Sequence, residues 1–144
     1  AKKTPGGDPL MGVDFFREET NWEQAQIDVS DWGFPRPVDS LEAEAATWVR
    51  FGRSLLVWFL QGPETDSLSV HICAAPDARG NVGTPRQMIA LEVVGEMLGA
   101  TRLWSLTGAE GEDPRLPREY MRNFLVARGW TNADRGTFID LGVH

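Results

Sequence analysis

One segment of the chain carries the signals for both ends of a helix. Thr84 is a favoured N-cap residue, Pro85 stands at the first helical position, and Gly99 is a typical C-terminal stop. Apolar residues recur between these ends at helical spacing, namely Met88, Leu91, Val94 and Leu98. The sequence therefore predicts a helix over residues 85–98.

Runs typical of β-strands lie on both sides of this helix. Residues 53–63 and 67–76 precede it and are rich in β-branched, aromatic and other apolar side chains. The turn residues of QGPETD separate them, so we expect these two runs to form antiparallel neighbouring strands. Residues 101–108 are a third such run, directly after the helix.

Two further helices and a last strand complete the predicted order of elements. Asp39 and Ser40 are cap signals for a short helix to about residue 48, and residues 137–143 form a last β-like run. A helix over residues 117–128 carries Tyr120, Met121, Phe124, Leu125 and Arg128 along one side. The order strand, strand, helix, strand, helix, strand predicts an α/β fold, a twisted and mostly antiparallel mixed sheet flanked by helices.

Composition excludes several classes of protein. The net charge is -7, and the acidic excess lies in residues 1–46, whereas a nucleic-acid surface needs a basic stripe. Cys73 is the only cysteine and lies in an apolar run, so we interpret it as a core thiol and expect neither an intrachain disulfide nor a metal site. Because no apolar run is long enough to span a membrane and no signal peptide is evident, we expect a cytoplasmic protein.

The N-terminal part is predicted to be an acidic arm, residues 1–38, that precedes a domain of residues 39–144. The arm contains five aromatic residues among acidic ones: Phe15, Phe16, Trp22, Trp32 and Phe34. These rings either fold back onto the domain, because exposed rings are costly in a monomer, or anchor residues 1–35 to a protein partner or larger assembly. Both interpretations stay open on the sequence alone.

The loop before the helix resembles a known signature. Pro76, Asp77, Ala78, Arg79 and Gly80 follow the second β-like run in that order, and LVARGW ends the last helix with Gly129 and Trp130. Together with the order of elements, these residues are similar to the GNAT family of N-acetyltransferases over residues 39–143. That resemblance implies a GNAT-like fold and acetyl-CoA as cofactor, if the protein is active. It also implies a pyrophosphate site at the helix start, whose candidate residues are Arg79, Gly80, Gly83 and Thr84.

The chain departs from the family pattern at several positions. Val82 and Thr84 stand where the signature has glycines that let the backbone approach phosphate. Leu125 stands where many members have a tyrosine that protonates the leaving thiolate. The remaining catalytic candidates are His71, as a general base on its strand, and Tyr120 on the last helix; the alternatives are a structural histidine and a packed aromatic ring.

Two hypotheses of function follow. The first is a non-catalytic structural or interaction protein on a degenerate acetyltransferase scaffold, similar in layout to small GNAT-like proteins of tailed bacteriophages, some of which are virion components; the protein would then be in the virion. The alternative is an acetyl-CoA-dependent N-acetyltransferase with a divergent pyrophosphate loop. The affinity for acetyl-CoA distinguishes them, because a fold alone does not establish an activity.

Overall fold

A seven-stranded sheet organises the chain in its computed structural model, which describes residues 16–78, 84–106 and 118–141, with the backbone only at residues 118–121. The strands lie in the order β1-β2-β3-β4-β5-β7-β6. They are β1 (Phe16–Glu19), β2 (Thr47–Phe51), β3 (Leu55–Gln61), β4 (Ser67–Ala74), β5 (Arg102–Leu106), β6 (Thr131–Ala133) and β7 (Gly136–Asp140). The helices are α1 (Trp22–Asp31), α2 (Ser40–Ala45), α3 (Pro85–Met97) and α4 (Arg118–Val126).

Neighbouring strands are antiparallel except for β4 and β5, which are parallel. Helix α3 connects these two strands, as a parallel pair requires. The predicted fold class, a mostly antiparallel α/β sheet flanked by helices, is therefore confirmed. None of the helices described is long and apolar enough to cross a membrane.

Helix α3 forms where its cap signals predict it. The Thr84 side chain accepts a hydrogen bond from the Gln87 N–H, and the helix ends before Gly99, whose φ of 89° suits glycine. Its inner face carries Met88, Leu91 and Val94 into the core. The predicted helix over residues 85–98 is thus confirmed to within one residue.

Two hydrophobic cores lie on opposite faces of the sheet. The core on the face covered by α3, called the α3 face, includes Val57, Val70, Leu91, Leu103 and Leu125. The core on the other face, called the α1 face, includes Ala25, Val29, Trp48, Trp58 and Cys73. Cys73 is a buried residue of this core, as interpreted from the sequence.

Residues 16–38 are part of the same sheet and core, so the described part of the predicted arm is not separate from the domain. β1 pairs with β2 along its length, and α1 buries Ala25 and Val29, four residues apart, against the α1 face. Trp22, Trp32 and Phe34 pack partly buried against this core. These rings follow the fold-back alternative, because the core offers them apolar surface; Phe15 and the rest of residues 1–15 lie outside the described residues.

The start of β2 also differs from expectation. The helix predicted to about residue 48 ends at Ala45, and Trp48 lies in β2. The Trp48 ring stacks on Trp58 of β3 at 4.7 Å, and its Nε1 donates to the Ala43 carbonyl at 2.8 Å. Pairing with β3 and burial of the indole favour the strand over another helical turn at this position.

A buried arginine fastens β1 and α1 to the sheet. Arg50 of β2 donates from Nε to Glu19 Oε1 and from a terminal nitrogen to Asp28 Oδ2, both at 2.8 Å. Burial alone would raise the pKa of Glu19, but the hydrogen bonds from Arg50 and from the Asn21 N–H produce a net lowering. Glu19 therefore stays ionised and pairs with Arg50 at neutral pH.

Candidate functional site

A gap opens in the middle of the sheet, between β4 and β5. The two strands pair over three residues only, from Ser67↔Arg102 to Ser69↔Trp104. Beyond that point β4 still pairs with β3 up to Ala74, and β5 still pairs with β7 up to Leu106, but β4 and β5 no longer pair with each other. The second half of the central strand thus has one edge without a neighbouring strand among the described residues.

The peptide groups that face this gap can be identified from the alternation of the antiparallel ladder. Gly62 N–H donates to the Ser67 carbonyl at one end of the β3–β4 pair, and Ala75 N–H donates to the Ser54 carbonyl at the other. The odd-numbered residues of β4 therefore bond to β3, and the N–H and C=O of Ile72 point to the β5 side. The Ile72 side chain is 36% exposed although it belongs to the central strand, which marks the gap as open.

The start of α3 lies at the end of the sheet where the gap opens, since α3 follows the C-terminal end of β4. The Thr84 Oγ1 accepts from the Gln87 N–H at 3.2 Å, and the Thr84 N–H donates to the Gln87 side chain at 3.3 Å. Pro85 has no N–H. The capping interactions thus occupy the Thr84 groups, and a contact of Thr84 with pyrophosphate stays a prediction; Arg79, Gly80 and Gly83 lie outside the described residues.

His71 stands on β4 beside the gap, on the α1 face. Its ring stacks on Trp58 with centroids 5.5 Å apart, and its Nε2 lies 3.4 Å from Ser69 Oγ. Burial lowers the pKa of His71 to about 4, the positive charge of Arg36 acts in the same direction, and Glu42 opposes them. The imidazole is therefore neutral at pH 7, held by a ring stack and a hydroxyl contact.

A polar network next to His71 was not predicted. Arg36 donates to both carboxylate oxygens of Glu42, at 2.8 and 2.9 Å, and Trp58 Nε1 donates to Glu42 Oε2 at 3.0 Å. Burial alone would raise the pKa of Glu42, but these hydrogen bonds produce a net lowering. The sequence contains no local pattern that predicts these contacts. Arg36 lies in the loop before α2, and an acidic residue in the first turn of a helix, such as Glu42, is common.

Helix α4 contains both the candidate Tyr120 and Leu125, the residue at the tyrosine position of the GNAT pattern. Leu125, where the GNAT pattern has a tyrosine, is buried in the core of the α3 face together with Met88 and Leu103. Tyr120 belongs to α4, but only its backbone is described, so its catalytic role stays a prediction. Of the two catalytic candidates, only His71 has a side chain within the described residues, on the strand that borders the gap.

The comparisons with known proteins concern structure alone. No protein-family model matches the chain, and no curated protein matches its sequence. A chimera of the spermidine N-acetyltransferase SpeG from Vibrio cholerae and hSSAT matches with a TM-score of 0.65 and 10% identity, over 87% of this chain and 95% of that one.

Two further solved structures also match the fold of this chain. yncA from Salmonella typhimurium, with its cofactor acetyl-CoA, matches with a TM-score of 0.62 and 9% identity, over 90% of this chain and 94% of that one. The GNAT domain of S. lividans PAT matches with a TM-score of 0.58 and 11% identity, over 88% of this chain and 89% of that one. The chain therefore has the fold of the GNAT acetyltransferases.

Proposed function

We propose that the chain binds acetyl-CoA in the gap between β4 and β5 and transfers the acetyl group to an amine. The observation that carries this proposal is the early end of the β4–β5 pairing at Ser69↔Trp104, at the end of the sheet where α3 begins. The solved yncA structure contains acetyl-CoA, and SpeG is by name a spermidine N-acetyltransferase; both share this fold, which supports the assignment.

The residues at the gap fit the pantetheine arm of CoA. This arm is an extended chain with amide groups, and such a chain pairs with a strand edge in the way that an added strand does. Ile72 offers both its N–H and its C=O on that edge. The helix start fits the phosphates less well, since Pro85 has no N–H and Thr84 bonds to Gln87, although the helix dipole still favours an anion there.

The chain's own part in the reaction is to hold the reactants together. Bound acetyl-CoA supplies a thioester carbonyl for attack by an amine nitrogen, with CoA leaving as the thiol. Proximity and orientation supply much of the rate of such a reaction. His71, with a pKa of about 4, is too weak a base to deprotonate an alkylammonium ion of pKa about 10, so we expect the acceptor to react as its free amine.

Calorimetric titration of the full chain with acetyl-CoA tests the binding step. We expect a dissociation constant in the micromolar range, about -8 kcal/mol. Ile72→Pro removes the N–H that faces the gap and leaves the β3 ladder intact, so it should weaken binding about tenfold, the equivalent of one good hydrogen bond. Ile72→Val keeps the N–H and should bind as the wild type does.

Two results would contradict the proposal. One is no binding of acetyl-CoA at millimolar concentration by a folded wild-type chain. The other is equal binding by Ile72→Pro and Ile72→Val, because the gap-facing peptide group would then have no part in the site. If binding holds, release of CoA thiol in the presence of a panel of primary amines measures the transfer step.

A second candidate function is a non-catalytic interaction protein on this scaffold. Leu125 in the core and the low pKa of His71 favour it, because neither position supplies an acid or a base for the reaction. The roles as a bacteriophage virion component and in partner contact through residues 1–35 belong to this candidate. Absence of thiol release with every amine, together with loss of partner capture on deletion of residues 1–15, would favour it over the enzyme.

A further inference from the structure

The two strands that border the gap present an uncharged pair of side chains on the α1 face. The last register pair of β4 and β5 is Ser69↔Trp104, so a continued pairing would place His71 opposite Leu106. Leu106 lies on the α1 face like His71, because side chains alternate along a strand and Leu103 belongs to the core of the α3 face. Both side chains are half-buried. A molecule that enters the gap from this face therefore meets an imidazole ring and an apolar side chain.

His71 reports how this position treats a positive charge. Burial and the charge of Arg36 disfavour the protonated ring, and Glu42 compensates only in part, so the pKa of His71 falls to about 4. Arg36 and Glu42 also neutralise each other in a bidentate pair. An ammonium ion beside His71 would lose water in the same way and would be acted on by the same charges. The position therefore disfavours a cation of the protein and a cation of a substrate alike.

The α1 face is also the side from which an acceptor can approach. The proposed phosphate position at the start of α3 directs the cofactor to the α3 face, where Val70, Leu103 and Leu125 are packed. The amine nitrogen must bring a free electron pair: it forms the bond to the thioester carbon, the C–S bond breaks, and the proton that the nitrogen loses ends on the CoA thiol. An alkylammonium ion must first give up a proton, and His71 is too weak a base to take it.

We propose that the acceptor is a weakly basic amine, of the arylamine or hydrazide class, that is uncharged at neutral pH and enters the gap on the α1 face beside His71 and Leu106. This inference rests on the proposed acetyl transfer and names its substrate class. An alkylamine or a polyamine is positively charged at pH 7, and it would need carboxylates beside the gap to replace its water.

Titration of His71 by nuclear magnetic resonance tests the site without any cofactor. Comparison with His144→Ala assigns the two histidine signals. Leu106→Glu places a carboxylate opposite the ring and should raise the pKa of His71 by about 0.5 or more, whereas Leu106→Gln has nearly the same shape without the charge and should leave it unchanged. Thermal melting checks that both variants fold.

Two results of the titration would overturn the proposal. One is a wild-type His71 that titrates at the ordinary pKa of about 6.5, because the position would then accept a cation. The other is an equal pKa of His71 in Leu106→Glu and Leu106→Gln, because the two side chains would then not face the same space.

Release of CoA thiol with aniline and with benzylamine at pH 7 tests the substrate class. Both amines carry a phenyl ring, but aniline is uncharged and benzylamine is almost wholly protonated. We expect kcat/KM for aniline to exceed that for benzylamine at least about tenfold in the wild type and in Leu106→Gln, and Leu106→Glu to reduce this ratio about tenfold. Leu41→Glu adds the same charge at an exposed position of α2 and should keep the wild-type ratio.

The outcomes separate this inference from the proposed function. A wild-type preference for benzylamine would overturn the substrate class and leave the acetyl transfer in place. Equal changes of the ratio in Leu106→Glu and Leu41→Glu would assign the effect to overall charge and would overturn the site beside His71. Absence of thiol release with every amine, in a folded chain that binds acetyl-CoA, would overturn the proposed transfer and the substrate class with it.

Discussion

The two halves of the sheet are held together by different means. The N-terminal half, β1–β4, has helices on both faces, the buried Arg50 ion pairs and the stacked pair Trp48–Trp58. The C-terminal half, β5–β7, carries a more exposed cluster on its α1 face, in which Arg102 lies 4.0 Å from the Phe138 ring centre and pairs with Asp140 at 2.7 Å.

The contacts between the halves are concentrated at one end. Besides the three residue pairs of β4 and β5, Thr101 N–H donates to the Asp66 carbonyl, and Trp104 Nε1 donates to Glu64 Oε1 at 2.7 Å. Beyond Ser69 the described residues show no backbone pairing between the halves, and the core of the α3 face, which includes Val70 and Leu103, joins them instead. From this comparison we expect substitutions in the N-terminal half to lower the free energy of unfolding most, and substitutions in the exposed cluster to lower it least.

The largest effect is expected for Arg50→Ala. It leaves the partly buried carboxylates of Glu19 and Asp28, whose side chains are 10% and 21% exposed, without their cation, so we expect a loss of about 3 kcal/mol, the lower end of the range for a buried ion pair that loses one partner. Urea denaturation at pH 7 measures the loss. Arg17→Ala, which removes a long and exposed pair with the same Glu19, should cost under about 0.5 kcal/mol. Similar losses for both variants would show that the N-terminal half is not fastened through Arg50.

Gly136→Ala tests the C-terminal half at the mouth of the gap. Gly136 has a φ of 153°, and a Cβ there would overlap the Ser105 carbonyl oxygen, a backbone atom that cannot move aside easily. We expect a loss of at least about 2 kcal/mol in the free energy of unfolding. Gly129→Ala is the control, since Gly129 also has a positive φ but open space around it, and should cost about 1 kcal/mol. A cost no greater than that of the control would mean that β5 and β7 separate easily.

His71 should make stability depend on pH. Because its folded pKa of about 4 lies below the unfolded value of about 6.5, the unfolded chain binds the proton first as the pH falls. Stability is complete above pH 6.5, and about 2 kcal/mol is lost between pH 7 and pH 5. His71→Phe keeps a ring on Trp58 and should remove most of this loss in urea denaturation, whereas His144→Ala should retain it. An equal pH dependence in both variants would refute the burial of a neutral His71.

The smallest effect is expected for Arg102→Ala. The variant loses the ion pair with Asp140 and the cation–π contact with Phe138, but both lie near the surface, where each contributes under about 1 kcal/mol. The midpoint of urea denaturation should shift slightly, and less so in 0.5 M salt, because salt already screens the pair. A loss of stability as large as that of Arg50→Ala would contradict the expected difference between the two halves of the sheet.

Local patterns were sufficient for the elements whose signals lie within a few residues. The Thr84–Pro85 start and the Gly99 stop predicted α3, and the turn residues between β3 and β4 predicted an antiparallel pair. The strands β1 and β6 and the helix α1 were missed. β1 is short and half polar, and its pairing with β2 depends on Arg50, which is distant in the chain.

The gap was only partly predictable. The resemblance to the GNAT signature led to the loop before α3 and to His71, but the exposed peptide edge at Ile72 follows from where two strands stop pairing. The environment of His71 was likewise not predictable from the sequence. Its low pKa depends on burial and on Arg36, thirty-five residues earlier, and no spacing within the sequence indicates that they meet.

The sequence by itself determined the order of the later elements, the caps of α3 and the apolar faces that build the two cores, because capping and periodicity act between residues close in the chain. The tertiary structure alone decided that residues 16–38 join the domain, that Trp58 donates to Glu42, and that β4 and β5 separate after Ser69. These features depend on contacts between distant segments, whose formation requires the folded sheet to bring the partners within hydrogen-bond distance.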